Sequence, residues 1–260
     1  LLLFGVNNAL IGLLVWRLTR HSAWSLAAAV VAACSPGLLW THAFALSEPL
    51  FLCLELVFLQ AMFSYTRGGS LRFVLSAALL ACLGFWTRYA GVAFYLSGML
   101  VILFYAQSRP WQERLRHLGL FLAVSVPGSL LLIFRNGMAG GTLANRQLLW
   151  HPPEMDKLME GAHNLWGFFL PSLPPAWNLL EITVALLAAL VVLGGVALAL
   201  STFSQRIKNT LSDCKLSYLQ GAALVAMHGC VYLIVVVLAM VFFDASTIFE
   251  ARILAPFGLC

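Results

Sequence analysis

Glu48, Arg88, Arg135 and Arg252 each stand at or near the edge of an apolar run, Arg146 follows Arg135, within GGTLANRQ, and these five are the residues of this chain best equipped for chemistry. An isolated arginine suits an anion with several oxygens. Its planar guanidinium forms paired hydrogen bonds with phosphate or carboxylate. Glu48, in THAFALSEPLF (41–51), could orient a hydroxyl or a catalytic partner. A structural role is the competing explanation. A carboxylate near a helix N-terminus is electrostatically favoured, and each arginine could pair with Glu48, Asp244 or Glu250. Both roles stay open for each arginine singly, and phosphate binding is expected for at least one. Tyr89 and Gly91 follow Arg88 in GFWTRYAGVAFY (84–95), which makes a compact cationic corner.

The elements that position these residues are apolar spans. The chain has 260 residues, of which 62% are hydrophobic and 10% charged. A soluble domain carries about 25% charged residues, so an ordinary soluble globule is excluded. A span needs about 20 mostly apolar residues. Runs fall at 1–16, 24–40, 50–65, 73–85 (continuing towards Tyr89), 91–106, 117–134, 179–200 and 219–243, and another starts near Ile253. The expected fold is therefore all-α: one polytopic transmembrane bundle over residues 1–260, with 8–9 spans, the last one cut short. Leu1 opens inside an apolar run and Cys260 ends a few residues into another, so the chain is expected to be a piece of a longer protein.

Charge orients the bundle. Arg17 and Arg20, then Arg67 and Arg72, then Arg109, Arg114 and Arg116, then Arg206, Lys208 and Lys215 fall in alternate loops. Cytoplasmic loops carry such an excess of basic residues. These ten of the fifteen basic residues account for most of the net charge of +5, so nucleic acid is not an expected partner. The other loops then face outside, and they hold Glu48, Arg88, Arg135, Asp244, Glu250 and Arg252. One of them, 136–178, is long. It carries GMAGG, HPPE and PSLPP around a stretch at 155–169 whose apolar and polar residues interleave as in an amphipathic surface helix.

Other features read more plainly. Glu55 lies seven residues after Glu48 on the same helix face, and His228 lies in mid-span. The first is read as structural and the second as a hydrogen-bonded packing histidine. His151 and His163 lie near Glu154, Asp156 and Glu160, but the spacing matches no tight ligand motif, so no metal or cofactor is expected. The six cysteines form no CxxC pair and read as packing residues.

The order SPGLLWTHAFALSEPLF, LGFWTRYAGVAFY, FRNGMAGGTLANRQ, a Pro- and Trp-bearing outer loop, then FEARILAPF resembles membrane glycosyltransferases of the GT-C superfamily. The nearest group is bacterial family 39-type and dolichyl-phosphate-mannose mannosyltransferase-like proteins. The resemblance covers almost the whole chain through motif order and topology. It implies transfer of a sugar from a polyprenyl-phosphate donor to a lipid, glycan or protein acceptor on the outer face. The membrane would be the bacterial inner membrane, or that of the ER in a eukaryote. It also implies that the main catalytic acid belongs to an outer loop preceding this sequence, with Glu48 in a supporting position. Arg88 matches an arginine before glycine in the next outer turn. Arg135, Arg146 and Arg252 are the further candidates for the donor phosphate, with Tyr89, Asp244 and Glu250 beside them. A transporter or flippase of lipid-linked or anionic substrates is the alternative. It requires polar residues through the full depth of the bilayer and helix breaks near its middle.

Overall fold

A backbone in hydrocarbon must satisfy its own N–H and C=O groups, and a helix does so within one segment. In the computed structural model, which describes residues 2–44, 47–106, 109–140, 150, 156, 159–161, 163–164, 213–243 and 251–259, all the regular structure is helical. The helices are α1 (Leu2–Thr19), α2 (Ser22–Cys34), α3 (Pro36–Phe44), α4 (Glu48–Thr66), α5 (Leu71–Thr87), α6 (Val92–Leu100), α7 (Trp111–Gly140), α8 (Asp213–Phe242) and α9 (Ala251–Leu259). A 3₁₀ turn at Tyr89–Gly91 leads into α6, and a π-helical turn at Val101–Tyr105 ends it.

Among the described residues, α1, α4, α7 and α8 are each long and apolar enough to cross a membrane. The pair α2–α3 makes a fifth if it counts as one bent span. The apolar helices at Leu71–Thr87 and Tyr89–Tyr105 are shorter. Large apolar side chains such as Leu130, Leu131, Phe134, Val31 and Ile234 face outward as well as inward, as expected where the surroundings are lipid. These features suggest a membrane protein. The run at 179–200, and most of the long loop with its amphipathic stretch, lie outside the described residues.

The run at 24–40 departs from a single straight span. It divides at Ser35 into two helices bent by 59°. Pro36 is the cause: the residue before a proline is pushed out of the helical region, and Ser35 is extended at φ −66°, ψ 118°. Proline is well placed at the first position of α3, where its missing N–H costs nothing.

The chain divides into two compact units. The first comprises residues 1–56, 154–230 and 248–260; the second comprises 57–153 and 231–247. In the first unit, α1 packs against α2, and α3 packs against α9. Ser25 Oγ donates to the Gly12 carbonyl at 2.7 Å, which ties α2 to α1.

In the second unit, α5 packs along α6 and α7. Gly98 makes room for the Phe121 ring, and Phe58 stacks on Phe94 at 4.9 Å. The end of α4 is closed by glycines. Gly68, at φ 81°, donates to Tyr65 O, and Gly69 donates to Ser64 O, a pattern that satisfies the last helical carbonyls. Arg109 pairs with Glu113, donates to the Gly69 carbonyl and lies over the Tyr65 ring. The Tyr65 hydroxyl meets His117 Nδ1 at 2.9 Å.

Candidate functional site

In the second unit, α5 delivers Arg88. The helix ends at Thr87, and Arg88 turns extended at φ −153°, ψ 141°. Its N–H still reaches the Gly84 carbonyl at 3.0 Å, and its own carbonyl receives the Gly91 N–H at 2.9 Å. The turn is tight because Gly91 lies directly on α5. A Cβ there would collide with the backbone of Gly84 and Phe85. The tight turn expected from GFWTRYAG is therefore formed.

Tyr89 is 42% exposed, with its ring edge on Phe85. Its hydroxyl accepts a hydrogen bond from Asn136 Nδ2 at 2.8 Å. Asn136 follows Arg135, which is exposed. This bond ties the turn after α5 to the end of α7 and brings Arg88 and Arg135 to the same end of the unit. Deeper along the pair, Trp86 Nε1 donates to the Gly128 carbonyl at 3.0 Å, next to Pro127. Tyr95 reaches Ser125 O at 2.8 Å and also bonds Ser129 Oγ. A guanidinium group suits a phosphate monoester or diester, and this end of the unit carries two of them.

In the first unit, Glu48 opens α4 and is buried, with 7% exposure. Ser47 Oγ donates to its Oε2 at 3.2 Å. Pro49 follows within the first turn, where a missing N–H is harmless. The Pro49 carbonyl accepts from Asn7 Nδ2 at 2.9 Å, and the same amide meets His42 Nε2 at 2.9 Å. His42 Nδ1 faces the Leu38 carbonyl at 2.8 Å. Since that carbonyl only accepts, Nδ1 carries the proton and Nε2 accepts from Asn7. Both amide protons of Asn7 are thereby used, so α1, α3 and α4 are joined by one polar side chain with no exposure.

In the same unit, His228 Nε2 lies 2.9 Å from Glu55 Oε1, and the two residues are 0% and 1% exposed. His228 is thus hydrogen-bonded in the interior, and its partner is the other deep ionisable residue of the sequence. Two charge-balanced states are open to such a pair: carboxylate with imidazolium, or carboxylic acid with imidazole.

Arg146, Asp244 and Glu250 lie outside the described residues, and so do His151 and Glu154. Arg252 belongs to α9, which packs against α3, but its side chain is not among those described. Among the described residues, no group of three His, Cys, Asp or Glu residues is placed to hold a metal ion. Asn7 and His42 were not singled out from the sequence. The signal was a polar side chain inside an apolar run, the same rule that marks Glu55 and His228.

No protein-family model matches the chain, and neither a curated protein nor a solved structure matches it.

Proposed function

We propose that this chain is a polytopic membrane enzyme that handles a lipid-linked phosphate at the outer membrane surface. More particularly, it is a GT-C-like glycosyltransferase. It moves a sugar from a polyprenyl-phosphate donor to a lipid, glycan or protein acceptor on the extracytoplasmic face. The observation that carries this reading is the Tyr89–Asn136 bond, which brings Arg88 and Arg135 to one end of the second unit. Alternating loop charge assigns that end to the outside. The resemblance of motif order supplies the reaction class.

The chemistry required is modest. As the bond from the sugar to phosphate breaks, negative charge grows on the leaving phosphate. Arginines already in place stabilise that charge. Glu48, bonded by Ser47 at the start of α4, remains a candidate for a supporting role on sequence grounds. The polyprenyl tail lies among the apolar helices. Arg146, Asp244, Glu250 and Arg252 remain candidates for the donor site on sequence grounds.

The test is release of polyprenyl phosphate from a panel of radiolabelled polyprenyl-phosphate sugars, with the protein in nanodiscs. Loss of release in Arg88→Ala and Arg135→Ala, with the fold intact, is the expected result. A second reading, a transporter or flippase, is favoured by the 59° bend at Ser35 and by the buried Glu55–His228 pair. Donor translocation without release in proteoliposomes would establish that reading instead.

A further inference from the structure

His42 stands in the last turn of α3, half-buried, where three helices of the first unit meet. Its two ring nitrogens have different partners. Nδ1 lies 2.8 Å from the Leu38 carbonyl one turn back, and Nε2 lies 2.9 Å from Asn7 Nδ2 on α1. Asn7 Nδ2 also lies 2.9 Å from the carbonyl of Pro49, in the first turn of α4. The Phe4 ring packs T-shaped against the imidazole at 5.3 Å and offers it no acceptor.

Both nitrogens of an imidazolium donate. The Leu38 carbonyl already takes the Nδ1 proton, so a second proton goes to Nε2, where it points at the N–H groups of Asn7. The amide can answer by turning over. Its Oδ1 is buried and makes no hydrogen bond in its present orientation. Turned, that oxygen would accept from Nε2, but it would then stand where Nδ2 now stands, against the Pro49 carbonyl oxygen. Neither orientation of Asn7 serves an imidazolium and the Pro49 carbonyl together.

We propose that Asn7 and His42 form a pH-sensitive latch: with His42 neutral it ties the start of α4 to α1 and α3, and it opens when His42 takes up a proton. The neutral imidazole makes the bond, so the latch is complete above the ordinary histidine pKa of about 6.5 and is lost as the pH falls below it. The charged groups around it belong to other elements. Glu48 precedes Pro49 on α4, α9 packs on α3 and carries Arg252, and the amino group of Leu1 also acts on His42. α2 has no charged residue, and Arg17 lies in the last turn of α1, far from Asn7. The hydrogen bonds of His42 go to Leu38 and Asn7, so none of these charges is bonded to an imidazolium in place of Asn7. The inference does not depend on glycosyl transfer, and it survives if no donor is ever turned over.

The test is hydrogen exchange of the full chain in nanodiscs at about pH 7.5 and about pH 5.5, on either side of the histidine range, with labelling times scaled to the intrinsic rate at each pH. In the wild type, α3 and the first turn of α4 should lose protection about 2- to 10-fold at the lower pH, the value of one neutral hydrogen bond. Protection in α5 and α7 should not change. His42→Gln removes the titrating group, and its exchange should be the same at both pH values. Asn7→Leu leaves His42 without its donor and should exchange as the open state at both. Imidazole ¹⁵N shifts of the wild type, with the His42 signals identified by their loss in His42→Gln, should show the proton on Nδ1 in the neutral ring. Equal protection of wild-type α3 at both pH values would overturn the proposal. So would a pH-dependent loss that persists in His42→Gln, a loss that extends equally to α5 and α7, or a neutral ring with its proton on Nε2.

Discussion

Glu55 and His228 are separated by 173 positions in the chain and joined by a hydrogen bond of 2.9 Å, with neither side chain open to solvent. The bond runs between α4 and α8, two of the helices long enough to cross a membrane. Breaking a buried pair by removing one partner strands the other, which costs about 3–5 kcal/mol. Glu55→Ala and His228→Ala should each lower the thermal midpoint in detergent by a large amount. The double replacement Glu55→Ala with His228→Ala should cost much less than the sum. A double-mutant cycle read by tryptophan fluorescence checks this, and additive losses would show that the two residues do not act as a pair.

Asn7 gives a separate stability prediction. Its amide donates to the Pro49 carbonyl and to His42 Nε2, so Asn7→Leu keeps the volume but removes both bonds and leaves His42 Nε2 without its donor. A stranded acceptor costs about 1–3 kcal/mol. Asn8 bonds only the Phe4 carbonyl of its own helix, and Asn8→Leu should be nearly neutral by comparison. Thermal unfolding of the two variants in the same detergent distinguishes them.

The glycines of the second unit predict changes of opposite sign. Gly91 lies against α5, and a methyl group there would have to displace the backbone of Gly84 and Phe85. Overpacking of this kind costs about 1–3 kcal/mol, so Gly91→Ala should destabilise the protein and loosen the Arg88 turn. Gly119 sits exposed within α7 with open space where a Cβ would go. Gly119→Ala should stabilise by about 0.5–1 kcal/mol, because alanine loses less conformational freedom in a helix. Circular dichroism melts of the two variants should move in opposite directions.

The apolar runs were legible because hydrocarbon permits so few backbone solutions. Where those runs fall among the described residues, the structure has helices. The division at Ser35 was written in Pro36, but the apolar run on both sides concealed it, since hydropathy does not register a backbone constraint. Span number was harder to read. The helices at Leu71–Thr87 and Tyr89–Tyr105 are apolar but short, and length alone separates them from the four that qualify. Partner choice was not legible at all. That Glu55 would meet His228, or Asn7 meet His42, depends on how helices distant in sequence pack. Tyr89 and Asn136 were both visible as residues at the outer ends of outgoing runs, but their bond was not.

That bond gives the most direct prediction for activity. Arg88 and Arg135 are carried by two different helices, and Tyr89 with Asn136 forms the link between their ends. If the donor phosphate sits there, Arg88→Ala should lower kcat/KM for release of polyprenyl phosphate by about 10- to 100-fold, the value of a charge-assisted hydrogen bond. Arg88→Lys should recover only part of the loss, because an ammonium supplies a point charge without the paired geometry of guanidinium. Asn136→Ala and Tyr89→Phe keep both arginines and remove only the link. Each should lower kcat/KM by about 2- to 10-fold, as expected for one neutral hydrogen bond. Combining them should cost little more than either alone, since both break the same bond. Additive losses in the double variant would mean that Tyr89 and Asn136 act on the substrate separately. An undiminished Arg88→Ala enzyme would remove this helix end from the donor site.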